Sequence, residues 1–478
     1  SQPPAAATAE VEGPITAGAG PVVPQPAVPA PDDWVTEEFF VGGTATGFEA
    51  VGDLGDDGVW DVEPADTADY RTRILVRRPP ESAFSGVVVV EWMNVTATEA
   101  SPDWAYLAEE VVRSGHAYVL VSVQSLGVIG GEPRIAVEID DEAAEDLGED
   151  ADDLTGGLVN ADPERYGTLA HPGDGFAFDI FSQVGRAVTD RADLVMGGLE
   201  PTTVIAIGES QSAGFLSTYL NAIHPDAGVY DGFLVHSRGG GAAPVSGSFS
   251  GSGFVEDGAR IRTDLEQPVL IFEAETDLTL LGYHRARQPD TDMIRTWEVA
   301  GTAHADAHLI RAILGGPRDG GVGSFLGCDA PINTGPHHEV LSAALRRLVE
   351  WVRDGTPPPT GAQLALVEGD PVAIARDDLG RAVGGVRNPL VDVPVVVTTG
   401  DPPPGVASER GEGFDICALF GRTLPLDTTT LLELHGSADD YVAAFEASAA
   451  AAVDAGFLLA EDAEQLVAEA EANRALFG

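Results

Sequence analysis

Lysine is absent from this 478-residue chain: all 26 basic residues are arginine, set against 77 Asp and Glu, for a formal net charge of −51. Schiff-base chemistry, serine–lysine dyads and phosphate loops of the GxxxxGK[ST] type all need a lysine, and each is thereby excluded. A field so negative repels nucleic acid and anionic membrane surfaces, so neither is expected as a partner. Long apolar runs are missing too: none approaches the roughly 20 residues that span a bilayer. Cysteine is scarce, with two residues, Cys328 and Cys417. What is present is a hydrophobic fraction of 44%. At this length that suffices for one large core or two ordinary ones.

Dense carboxylates without lysine predict a protein that stays dispersed in salty water, where counter-ions screen its self-repulsion. Residues 1–31 hold mostly Ala, Pro, Gly and Val, with no aromatic and no periodicity. Such a stretch buries too little surface to offset its ordering entropy, which predicts a flexible tail. The chain starts without Met, which fits a secreted protein whose signal peptide has been removed.

From Trp34 onward, strand-like and helix-like patterns alternate. Residues 73–79, 86–92, 117–124, 202–208, 232–237, 268–274 and 294–301 read as strands, several as unbroken Val/Ile/Leu runs. Such runs mark parallel strands buried on both faces. Helices are predicted at 101–115, with Ser101 as N-cap, Pro102 at the first helical position and Gly115 at the end, and at 337–355. The alternation predicts an α/β fold: a mostly parallel central sheet, helices on both faces and a C-terminal extension. We expect a single catalytic domain over 32–478, with residues 356–478 as an extension packed on it beyond the proline-rich 356–360.

Within "TTVIAIGESQSAGFLSTYL" (202–220), Ser210 and Ser212 mark the break between an apolar strand and an apolar helix. A strand turning at once into a helix is the setting of a nucleophile elbow, GxSxG, where small residues two before and two after let strand and helix pass closely. Ser210 is flanked by Gly208 and Ser212, and Ser212 by Ser210 and Gly214, so the motif fits either serine. The apolar run ends at Ile207–Gly208, which puts the turn on Glu209–Ser210 and predicts Ser210 as nucleophile. In chain order an acid and then a histidine should follow. "PVLIFEAETDLT" ends a strand in acids, with Asp277 the natural acid and Glu275 its rival. "WEVAGTAHADAH" supplies His304 in the loop past the last strand. Imidazole can take the serine proton and pass it to the leaving group while the acid fixes its tautomer. Two backbone N–H groups should form the oxyanion hole: that of Gln211, and that of Asn94 in the loop after the 86–92 strand, with Met93 one register away.

At these residues the chain resembles the bacterial "alpha/beta hydrolase domain" family of the α/β-hydrolase superfamily. The likeness is carried by "VVVVEWMNVT", "GESQSAG", "FEAETD", "RQPDTDMIRTWEVAGTAHAD", "INTGPHHEVLSAALRRLVEWVRDGTPPP", "DPERYGTLAHPGDGFAFDIFSQVGRA" and "CALFGRTLPL", and it covers roughly residues 34–478. It implies an α/β-hydrolase fold, with Ser210, His304 and an acid at Asp277 or Glu275 as the triad. Members are expected to cleave carboxylic esters, here through an acyl-enzyme and without a cofactor. The substrate is expected to be a small-molecule ester. The chain departs from the wider superfamily in carrying Ser212 where the second elbow glycine usually stands. The competing readings are an amidase, lactonase or peptidase of the same mechanism, and a non-catalytic binding protein that kept the fold.

Other features carry less. "HADAH" spaces His304, Asp306 and His308 as metal ligands on a helix could be, but no third ligand cluster follows, and no metal is expected. The acidic run 138–153 reads as hydrated surface. The Gly-rich stretch 237–254 leaves the sheet where α/β folds bind ligands, and is expected to line or cover the pocket. Two C-terminal helices are predicted, at 438–456 and at 462–477, the second opened by Asp462 and Gln465 as a capping box. The even pair Cys328 and Cys417, in a chain read as secreted, predicts a disulfide tying the extension to the catalytic body.

Overall fold

The computed structural model describes residues 7–24, 28–96, 98–131, 156–247, 258–314, 328, 330–408 and 414–478. They group into two compact units: residues 1–269 with 282–294, and residues 270–281 with 295–478. The C-terminal extension falls in the same unit as Asp277 and His304.

The first unit is built on strands β1 (Glu10–Glu12), β2 (Val35–Ala50), β3 (Val62–Arg78), β4 (Val87–Trp92), β5 (Ala117–Val121), β6 (Thr203–Glu209) and β7 (Gly232–His236), in sheet order β1-β2-β3-β5-β4-β6-β7. β1, β2, β3 and β5 pair antiparallel, whereas β5–β4, β4–β6 and β6–β7 pair parallel. Each parallel step is made by a crossover that carries a helix, such as α1 (Pro102–Arg113) between β4 and β5. Further helices are α2 (Ala177–Asp190) and α3 (Gln211–Thr218). The central strands are apolar throughout, and Val87, Val88, Val89 and Val90 are all fully buried. At roughly 1.5–3 kcal/mol for each such side chain, a run of this kind drives a strand into the middle of a sheet. Trp92 closes β4 among Phe178 and Phe181 of α2 and Phe215 of α3, at centroid distances of 5.8, 4.9 and 5.1 Å. The elbow at the head of α3 therefore rests on an aromatic floor.

The amino-terminal stretch corrects the sequence reading. Residues 10–12 form β1 against β2, and three of the segment's carbonyls are taken up by arginines. Arg165 donates to Ile15 O and Ala17 O, and the fully buried Arg73 donates to Val22 O. The Tyr166 hydroxyl accepts from Val22 N–H at 2.8 Å. Composition predicts a flexible tail because it counts apolar side chains; backbone acceptors serving buried guanidinium groups do not enter that count.

The second unit contains most of β8 (Val269–Ala274) and β9 (Ile294–Val299), which are neighbours in the sheet order. Its helices include α4 (Glu275–Thr279), α5 (Ala307–Leu314), α6 (His337–Asp354), α7 (Ala438–Ala455) and α8 (Ala460–Ala472). The extension packs within this unit: Trp297 of β9 donates to Pro359 O at 2.9 Å and stands edge-on to Phe457 at 4.9 Å. The carboxy-terminal helices close on Leu431, Tyr441, Phe445, Leu458, Leu466 and Phe477. α8 starts two residues before the predicted capping box, with Leu459 at its N-cap, so Asp462 is the third helical residue. Ser101 does hold the N-cap position of α1, but its hydroxyl makes no capping bond. Cys328 and Cys417 are joined in a disulfide, with Cα atoms 5.6 Å apart.

Candidate active site

β6 ends at Glu209 and α3 starts at Gln211, leaving Ser210 alone to turn the chain. Its backbone lies at φ 56°, ψ −116°, a conformation that residues other than glycine rarely adopt. Holding it costs on the order of 1–3 kcal/mol, and hydrogen bonds on both sides retain it. Ser210 N–H donates to His236 O at 2.9 Å, and Ser210 O accepts from Gly214 N–H at 3.1 Å. Ser210 is half-buried while Glu209, Gln211 and Ser212 are buried.

The two serines are chemically distinct in this setting. Ser212 Oγ donates to Glu209 O at 2.7 Å and accepts from Glu209 N–H at 3.0 Å, so both its functions are committed to the turn. Packing here is tight at Gly208, where a Cβ would stand 3.1 Å from the Ser212 carbonyl carbon. Ser212 therefore occupies the second small-residue position of the elbow, and its hydroxyl pins the turn that presents Ser210.

Asn94 departs from its expected role. Its N–H donates to Ala100 O at 2.9 Å, and its carbonyl accepts from Ala100 N–H at 2.8 Å, so the backbone donor is occupied. Its side chain supports the elbow instead, with Nδ2 at 3.2 Å from both Glu209 O and Glu209 Oε2. Met93 N–H faces Val121 O at 3.4 Å. The next donor, Val95 N–H, faces Gln211 Oε1 at 3.4 Å, beside the residue that follows Ser210. Gln211 itself opens α3, where the first N–H groups of a helix have no intrahelical acceptor.

In the second unit, His304 Nδ1 and Asp277 Oδ1 are 2.6 Å apart. Asp277 is fully buried, and its other oxygen accepts from Ala274 N–H at 2.6 Å, which fixes the carboxylate plane. Glu275 makes no such bond to the histidine. Its Oε1 accepts from Gly301 N–H at 2.6 Å, and its Oε2 from Gly400 N–H at 3.0 Å and Arg376 Nη2 at 2.7 Å. Burial pushes the Glu275 carboxyl upward, against the pull of the Arg376 charge and the two N–H donors. Arg376 and Gly400 lie 101 and 125 residues away in sequence, so no local pattern could have pointed to them.

His236, whose carbonyl accepts from Ser210 N–H, is in a further imidazole–carboxylate pair, its Nδ1 2.7 Å from Asp103 Oδ1. Both side chains are wholly enclosed, whereas the His304 side chain is 6% exposed, so only His304 presents an edge to its surroundings. The Asp103 carboxyl is raised by burial, and Glu91 by burial and then by the Asp103 charge. Asp306, from the spacing that suggested metal ligands, caps α5 by accepting from His308 N–H and Leu309 N–H at 3.0 Å each. Among the described residues no group of three or more His, Cys, Asp or Glu stands together as a metal site. The described part of the Gly-rich stretch folds back on α3, with Ala243 N–H donating to Gly214 O at 3.0 Å. The acidic run 138–153 lies outside the described residues.

A mostly parallel sheet whose strand β6 turns through a strained serine into a helix, with an acid and then a histidine after later strands, is the architecture of the α/β hydrolases. The chain belongs to the family described as "Alpha/beta hydrolase domain", whose model matches residues 11–468. No curated protein matches it by sequence. Among solved structures it is similar to acetyl xylan esterase 1 from Thermoanaerobacterium sp. JW/SL YS485, at 10% identity over 60% of this chain and 81% of that one, with a TM-score of 0.26. It is also similar to a glucuronoyl esterase from Solibacter usitatus, at 11% identity over 61% and 83%, with a TM-score of 0.28. The carboxylesterase Cest-2923 from Lactobacillus plantarum shares 10% identity over 50% and 76%, with a TM-score of 0.25. Likeness this distant says nothing of substrate.

Proposed function

We propose that the protein is a serine carboxylic ester hydrolase that works through an acyl-enzyme, with Ser210 as nucleophile, His304 as general base and acid, and Asp277 as the orienting acid. The observation that carries this reading is the strained backbone of Ser210 at the β6–α3 turn, which a residue of no function would have no reason to keep. The 2.6 Å bond between His304 Nδ1 and Asp277 supports the rest. With Nδ1–H donated to the carboxylate, Nε2 of His304 is the nitrogen left to accept a proton. In the first half-reaction Ser210 Oγ attacks the ester carbonyl, its proton passes to His304, and the alcohol leaves carrying that proton. In the second, water loses a proton to His304, attacks the acyl carbon, and releases the acid and Ser210. Negative charge on the carbonyl oxygen would be met by the N–H group of Gln211, the Asn94 N–H being taken by Ala100 and the Val95 N–H by Gln211 Oε1.

Turnover of p-nitrophenyl esters by the purified protein tests the reading against a non-catalytic binding protein, and matched amides and lactones test the alternative reactions. Ser210→Ala should lose on the order of 10⁶-fold in turnover. Turnover of wild-type size in that variant would reject the serine mechanism.

The disulfide supports an oxidising, extracellular setting. No helix among the described residues is long and apolar enough to cross a membrane. With a net charge of −51, activity and thermal stability should rise from dilute buffer to roughly seawater ionic strength as self-repulsion is screened. A flat or falling response would contradict adaptation to salt.

A further inference from the structure

We propose that the C-terminal extension positions the acid and the base, through a clamp in which Glu275 is gripped by Arg376 and Gly400. The inference rests on the reading of Asp277 and His304 given above and assigns Glu275 a role outside the triad.

Glu275 opens α4 two residues before Asp277, and its Oε1 holds Gly301 N–H, three residues before His304. One carboxylate therefore ties the turn that carries the acid to the loop that carries the base. The extension holds that carboxylate in turn. Arg376 Nη2 and Gly400 N–H both donate to Oε2, while Arg376 is itself oriented by Asp401, Nε to Oδ2 at 2.7 Å and Nη2 to Oδ1 at 2.7 Å. Gly400 O accepts from Thr276 Oγ1 at 2.8 Å, so the extension bonds to two successive residues of α4. A side chain at 400 would not fit, since its Cβ would fall 2.6 Å from Glu275 Cβ. The base loop is gripped from the other side as well. Ala305 N–H donates to Leu419 O at 3.2 Å, and Asn333 Nδ2 bridges Gly301 O and Thr399 O at 3.0 and 3.1 Å.

A buried carboxylate with one cationic partner and two N–H donors is rigid only while all of them are present. Without Arg376, Glu275 is left uncompensated and takes up a proton or turns away, and Gly301 and Gly400 lose their acceptor. The His304 loop then keeps its fold but not its register on Asp277. Displacements on the order of 1 Å at reacting groups cost about 10²-fold in rate with little change in ground-state binding.

The test uses the full chain and p-nitrophenyl acetate, well below the unfolding transition. Arg376→Gln should lower kcat by about 10- to 100-fold with KM within about 3-fold, and Arg376→Lys should recover most of that loss. Gly400→Ala should show the same split. Wild-type kcat in a folded Arg376→Gln with a lowered Tm would overturn the proposal, leaving only a structural ion pair. If Arg376→Gln does not fold, Asp401→Asn takes its place, with a smaller fall in kcat expected and an unchanged kcat counting against the clamp. Ser210→Ala, run alongside, separates the two readings. Turnover by that variant rejects the serine mechanism, whereas its inactivity beside a fully active Arg376→Gln rejects the clamp alone.

Discussion

On the proposed reading of Ser210, His304 and Asp277, the elbow and the acid–base pair are built in different ways. At the elbow many of the bonds around Ser210 are local or come from an adjacent strand, through Glu209, Ser212, Gly214 and the carbonyl of His236, with the Asn94 side chain added from the loop after β4. The acid–base pair has close bonds such as Ala274 N–H to Asp277, but it is also held by residues far along the chain, Asn333 on Gly301 and Arg376 and Gly400 on Glu275, the last two 101 and 125 positions away. A nucleophile can thus be specified by one strand–helix junction, while its base depends on how a remote segment folds. Damage to distant sequence should reach the base before it reaches the nucleophile.

The largest effect that separates the two acids is at Asp277. Asp277→Asn should lower kcat by about 10⁴-fold, because the amide no longer selects the Nδ1–H tautomer of His304. Glu275→Gln should cost only about 10- to 100-fold, in keeping with a positioning residue. Steady-state kinetics on the two variants decides, and the reverse ranking would hand the acid's role to Glu275.

These two carboxylates also show how much was legible in the sequence. β4 to β9 could be read to within a residue or two at most ends, because buried parallel strands appear as unbroken Val/Ile/Leu runs bounded by helices. The elbow was equally legible, since a strained serine needs small neighbours at fixed offsets. The choice between Asp277 and Glu275 turns on which oxygen faces His304, and a spacing of two residues cannot encode that. Asn94 illustrates the same limit. Its position after β4 was apparent, but the loop's pairing with Ala100, which occupies its N–H, depends on a backbone register with no side-chain signature. The docked amino-terminal segment escaped notice because its anchors are carbonyls, and every residue has one of those.

An intermediate effect is expected from the disulfide, which constrains the second unit alone. Replacing Cys328 and Cys417 by Ser should lower the stability of that unit by up to about 4–5 kcal/mol on the chain-entropy model, for a bridge with a sequence separation of 89 residues. Denaturant titration should then show the second unit's transition moving to lower denaturant while the first unit's holds. Coincident shifts of equal size would mean that the two units unfold as one.

A smaller effect should mark the first unit. Burial pushes the His224 imidazole down to about 4, against the opposing hydrogen bond to Gln267. Between that value and the ordinary histidine range near 6.5 the unfolded chain binds more protons than the folded one. Stability therefore falls as pH drops through that window and is constant with respect to this group above it. Thermal unfolding between pH 7 and 4 should show the loss, and His224→Gln should show a shallower slope. An unchanged slope would assign the acid sensitivity to other groups.

The most direct test of the central claim, that the β6–α3 turn presents Ser210 as the nucleophile while Ser212 is bound into the turn, is covalent labelling with a fluorophosphonate followed by peptide mapping. The label should sit on Ser210 in the wild-type protein, persist on Ser210 in Ser212→Ala, and vanish in Ser210→Ala. A label on Ser212, or labelling that survives loss of the Ser210 hydroxyl, would contradict the account.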